Sequence, residues 1–140
     1  MDTVDALRNS SLLAALGEEQ LAGLAAMARQ RTFAAGDVLI SAGDSRASAM
    51  YVIIDGAVEV RSEGTVVAEL GPGASVGELA LLSPDTSRTA DVIATEDTTV
   101  VALARWDFLP YVRGNPDVAQ AVIEELVARI EAANARLAAD

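Results

Sequence analysis

The block from residue 32 to residue 104 constrains this chain most, because short apolar runs there are broken by turn signals every few residues. Val38 and Ile40 alternate with their neighbours, Asp55 and Gly56 part the apolar run 51–54 from 57–61, and Glu63 and Gly64 turn the chain again before 66–70. Segments 90–94 and 98–104 flank Glu96 and Asp97 and read as a closing hairpin. Glycine at such junctions supplies the backbone conformations that tight turns need. Strands this short and this densely punctuated predict an antiparallel β sandwich or roll.

On both sides of that block the periodicity turns helical. Leu7, Leu12, Leu13 and Leu16 form one apolar set, Gly17 breaks it, and Leu21, Leu24, Met27 and Ala28 then recur at helical spacing. Residues 1–31 are therefore expected to be helices that cover an open sheet edge. After Arg105, the residues Trp106, Phe108, Leu109 and Tyr111 form a short aromatic helix that Pro110 must kink or end. Asn115 and Pro116 punctuate the chain before a longer helix over 117–137. Its apolar face carries Val118, Val122, Leu126, Ile130, Ala133 and Leu137. The expected class is α+β, mainly β: an antiparallel β-roll or jelly roll with N-terminal helices and two C-terminal helices, in a single domain over 1–140.

Composition excludes several functions. A chain of 140 residues makes one ordinary domain and buries roughly two thirds of its unfolded surface. Its 51% hydrophobic content argues against disorder. No apolar run approaches the ~20 residues that cross a bilayer, and no signal peptide opens the chain. Without cysteine there are no disulfides and no thiolate chemistry. A soluble cytoplasmic protein without direct membrane insertion is expected. The net charge of −11, with ten scattered arginines, works against nucleic acid as a partner. The absence of histidine removes the usual imidazole ligands of a metal-dependent jelly-roll enzyme. No nucleophile–base pair is evident either, so neither a metal, a cofactor nor a catalytic residue is expected.

One segment carries chemistry. Gly77, Glu78, Leu79, Ala80, Leu81 and Leu82 are followed by a proline-containing loop and then by Arg88, Thr89 and Ala90. Gly77 lets the backbone approach a ligand closely, and the residues after it can wind into a short helix with free N–H groups. Those groups, with the positive end of the helix dipole, suit a phosphate. Arg88 adds a fork of donors for the same anion. Ionised Glu78 has only acceptors, so it suits a hydroxyl pair such as a ribose edge. Donors for one anion beside a lone acceptor for a sugar describe a small nucleotide. Taken alone, Arg88 is equally a surface ion-pair residue and Glu78 a helix N-terminal acid. The Thr89 hydroxyl either satisfies backbone in a turn or faces the nucleotide.

The segment 77–90 resembles the phosphate-binding cassette of the cyclic nucleotide-binding domain family, found in catabolite activator proteins, protein kinase A regulatory subunits and cyclic-nucleotide-regulated channels. Further matches precede it. Gly36, Asp37, Val38, Leu39 and Ile40 with Gly43, then Tyr51 through Val58, are similar to the family's opening strands, and Gly71, Pro72 and Gly73 lead into the cassette. The resemblance implies a reversible cyclic AMP sensor in which Gly77, Glu78, Leu79, Ala80, Arg88, Thr89 and Ala90 hold the ligand. A hydroxyl at Thr89 implies tolerance of cyclic GMP as well. Val60, Ala68, Leu70 and Val76 match pocket-lining positions and are equally plain core residues. Arg129, Ile130 and Asn134 are the lid candidates on the last helix, where an Arg also serves as a solvated face residue. The N-terminal helices are implied to move on binding. Ending at Asp140, the sequence leaves no room for the helix-turn-helix of the transcription-factor branch, so the effector is unknown. An interaction module of the same fold that binds no ligand is the alternative.

Overall fold

The computed structural model describes residues 1–43, 49–82 and 90–139, apart from the side chains of Leu79 and Ala139. Two short helices, α1 (Thr3–Arg8) and α2 (Glu18–Ala25), open the chain. Eight strands follow: β1 (Arg29–Phe33), β2 (Val38–Ile40), β3 (Ala49–Asp55), β4 (Val58–Ser62), β5 (Thr65–Leu70), β6 (Ser75–Val76), β7 (Asp91–Ala94) and β8 (Thr98–Ala104). A 3-10 helix, Glu78–Leu81, lies between β6 and β7, and α3 (Arg105–Gly114) and α4 (Pro116–Ala139) close the chain. The strands form two four-stranded antiparallel sheets, ordered β1-β8-β3-β6 and β2-β7-β4-β5.

The first sheet is covered on both faces, which explains why β3 is apolar from Ala49 to Ile54. Tyr51 and Ile53 point between the sheets with Val100, Phe33, Val58, Val76, Val92 and Ala94. Met50 and Val52 point the other way with Val101 and Leu103, against Leu7, Leu12, Leu13, Leu21, Leu24 and Phe108 from the helices. A strand's side chains alternate between faces, so a strand buried on both sides cannot alternate in polarity. Each fully buried aliphatic side chain contributes about 1.5–3 kcal/mol.

Only one of the expected turns makes a hairpin. Glu63 and Gly64 have φ of 53° and 81°, the double positive φ of a tight hairpin turn, and β4 pairs with β5 through Ser62 and Thr65. Strands β7 and β8 do not form the expected closing hairpin: β7 pairs with β2 and β4, β8 with β1 and β3. The Glu96–Asp97 corner carries the chain from one sheet to the other, and the Asp55–Gly56 corner does the same. The two corners brace each other. The Ala57 carbonyl accepts from the Thr95 amide at 3.0 Å and the Thr98 hydroxyl accepts from the Ala57 amide at 3.2 Å. A side chain at Gly56 would meet the Asp97 carbonyl oxygen at 2.6 Å, and its φ is 98°.

Three boundaries differ from the sequence reading. The roll begins at Arg29, inside the stretch expected to be helical, because Arg29, Gln30 and Arg31 pair with β8 as an exposed edge. Of the two outcomes expected at Pro110, a kink or an end, the second does not occur, and helix α3 runs through it to Gly114. Helix α4 starts at Pro116, where the missing amide proton costs nothing. Its expected apolar face divides: Val118 and Val122 are buried, whereas Ile130 and Leu137 are 60% and 73% exposed.

Candidate functional site

Strand β6 ends at Val76, and Gly77, with a φ of 79°, turns the backbone sharply into the 3-10 helix. The Ala80 amide closes that turn on the Gly77 carbonyl at 3.1 Å. Ala80 and Leu81 are buried, Leu81 against the helix-side core, so the short helix is anchored by its apolar side chains. This leaves Glu78 at its start, beside the connection between α1 and α2 and the middle of α4.

The Glu78 carboxylate is a junction. Oε1 accepts from the Ser75 hydroxyl at 2.9 Å. Oε2 accepts from the Ser10 hydroxyl at 3.0 Å, the Leu12 backbone N–H at 3.3 Å and the Ser11 hydroxyl at 3.4 Å. Arg129 Nη2 reaches the same oxygen at 3.2 Å and also donates to the Ser11 hydroxyl, while its Nε donates to Glu125 at 3.2 Å. Burial pushes the Glu78 carboxyl up, but the bonds from Ser75, Ser10, Arg129 and Leu12 outweigh it and hold it below its ordinary value. Burial likewise lowers Arg129, and its bonds to Glu125 and Glu78 reverse that and raise it. The result is an ionised acceptor, only 18% exposed at the side chain. Its Oε2 is crowded with donors and its Oε1 holds one among the described residues.

Other expected site residues fall around it. Ala80 belongs to the core, Ala90 is half-buried just before β7, and Leu79 sits within the 3-10 helix. Arg88 and Thr89, the expected phosphate fork and base contact, lie outside the described residues. Val60 pairs with Ala68 and Val58 with Leu70, which places all four on the inner face of the second sheet. Val58 is fully buried there, whereas Val60, Ala68 and Leu70 are half-buried, so this face is only partly covered. Val76 pairs with Tyr51 within the first sheet, and both pack into the core between the sheets. Of the lid candidates, Arg129 joins Glu78, while Ile130 and Asn134 are exposed.

Ser10, Ser11 and Ser75 were not anticipated. Ser75 stands three residues before Glu78, the spacing of a Ser-x-x-Glu capping box, and that pattern could have found it. Ser10 lies 68 residues from Glu78, and no local pattern signals it.

A family model described as the cyclic nucleotide-binding domain matches residues 30–115. The Pycsar effector protein XpPycTIR of Xanthomonas perforans is 39% identical over 100 residues, covering 71% of this chain and 33% of that protein. The chain spans 21% to 41% of the lengths of seven further curated relatives. Among solved structures, the N-terminal domain of a transcriptional regulator from Streptomyces coelicolor A3(2) is 32% identical with a TM-score of 0.85, each chain covered to 94%. The Thermus thermophilus catabolite activator protein is also 32% identical, with a TM-score of 0.70 over 91% of this chain and 62% of that one.

Proposed function

Because the chain belongs to the cyclic nucleotide-binding domain family, we propose that it is a regulatory sensor that captures cyclic AMP and passes the event on through its helical ends. The observation that carries this reading is Glu78: a largely buried carboxylate, kept ionised, with acceptor capacity left on Oε1 among the described residues. An acceptor of that kind suits a ribose 2′-hydroxyl, and it repels the phosphate that Arg88 and the cassette amides would take. The half-buried Val60, Ala68 and Leu70 would line the apolar side of the pocket. Arg129 already links Glu78 to α4, which supports a closure in which α3 and the Asn115 junction act as the hinge and α4 covers the base. The extent of the shift is set by the difference in ligand affinity between the two states, typically about 1–3 kcal/mol.

As a sensor the chain would act on an effector and not catalyse. Its relatives are several times its length, which supports a module joined to different outputs, and we place it in the cytoplasm with its messenger. Calorimetric titration with cyclic AMP and cyclic GMP tests the reading. Arg88→Ala should cost about tenfold or more in affinity with the fold intact, since a charge-assisted bond to phosphate is worth about 1.5–3 kcal/mol. Absence of binding by the unaltered protein overturns the reading in favour of an interaction module.

A further inference from the structure

We infer that Ser10, with Ser11 and the Leu12 amide beside it, is a positioning residue for the ribose acceptor, so that recognition of the 2′-hydroxyl depends on the docked N-terminal connection. This rests on the assignment of Glu78 to the ribose. Ser10 is fully buried, and its neighbours Leu7, Leu12 and Leu13 belong to the helix-side core. A hydroxyl in such surroundings needs a partner, and Ser10 donates to Glu78 Oε2 at 3.0 Å. Ser11 takes a hydrogen bond from Arg129 and gives one to Glu78, bridging α4 to the carboxylate. The Leu12 amide adds a third donor from the same turn.

These contacts all fall on one oxygen. A carboxylate offers about four lone-pair sites, and among the described residues the crowding of Oε2 leaves the remaining capacity on Oε1, beside Ser75. A glutamate on its own explores several rotamers, and fixing it before the ligand arrives removes that ordering cost from binding. The turn at residues 10–12 thereby sets which oxygen faces the sugar and how firmly. Capture of the 2′-hydroxyl and docking of the N-terminal helices are linked through a single side chain.

The test compares cyclic AMP with 2′-deoxy cyclic AMP on the unaltered chain and on Ser10→Ala. The expected result is a drop in 2′-hydroxyl discrimination of roughly three- to tenfold, the size of one ordinary net hydrogen bond. Affinity for the deoxy ligand should hold, which also shows that the variant is folded. Ser11→Ala, at an exposed position, is the second variant and should reduce discrimination in the same direction. Unchanged discrimination in Ser10→Ala, or in Ser11→Ala should the first fail to fold, overturns the inference while the sensor reading stands. An unaltered protein that binds neither nucleotide overturns the sensor reading itself.

Discussion

At the scale of single residues, the ionisation of Glu78 ties stability to pH. Its folded carboxyl titrates below the ordinary value of 4.5, so the unfolded chain binds the proton first. The contribution is fully present above that value and is lost as pH falls through the lower folded one. Glu78→Gln removes the titrating group, so its stability should fall less steeply with acid below pH 4.5 than that of the unaltered chain. Denaturant melts across that range read the difference, and parallel acid limbs would refute the linkage. The same variant should also lose part of its preference for the 2′-hydroxyl, since an amide offers one acceptor oxygen where the carboxylate offers two. Which of these residues the sequence discloses follows from distance. Gly77, Glu78 and Arg88 sit within a dozen positions and form a pattern, whereas Ser10 and Arg129 reach Glu78 from 68 residues before and 51 after.

At the scale of elements, the contact of α2 with α3 is unusually tight. A methyl group at Gly23 would meet the Tyr111 ring at 2.8 Å, and the Tyr111 hydroxyl donates to the Gln20 carbonyl at 3.2 Å. In an open helix, Gly to Ala stabilises by about 1 kcal/mol. Here the overlap reverses the sign, and Gly23→Ala should destabilise by about 1–3 kcal/mol, read from urea midpoints. A stabilised variant would show that Tyr111 moves aside without cost. Helix α4 behaves differently along its length: Val118 and Val122 are anchored, whereas Ile130 and Leu137 face out. Isolated helical tips are marginal, so amide exchange should be fast beyond residue 129. Saturating cyclic AMP should slow it there more than in β3 and β4. Removing residues from 129 onward should raise the dissociation rate more than it lowers the association rate. Unaltered exchange at saturation would remove α4 from the signalling route.

At the scale of the whole molecule, the first sheet is shared by two cores, one facing the second sheet and one facing the helices. The helical ends therefore rest on the back of the strands whose front helps to close the roll, and Glu78 joins both ends at one edge. Local sequence specifies the class of fold, the block of short strands between helical ends, the true hairpin at Glu63 and Gly64, and the sharp turn at Gly77 into a short helix. Each of these is written in side-chain periodicity or turn chemistry over a dozen residues or fewer. Long-range packing sets the crossing of the Asp55 and Glu96 corners between sheets and the start of an edge strand at Arg29. The same packing leaves Ile130 and Leu137 of the α4 stripe outside and brings Ser10 and Arg129 together on Glu78. A turn signal specifies that the chain reverses, not which strand it meets next. Strand partners and long-range hydrogen bonds are chosen by which apolar faces can be buried together, a property of the packed chain and of no single segment.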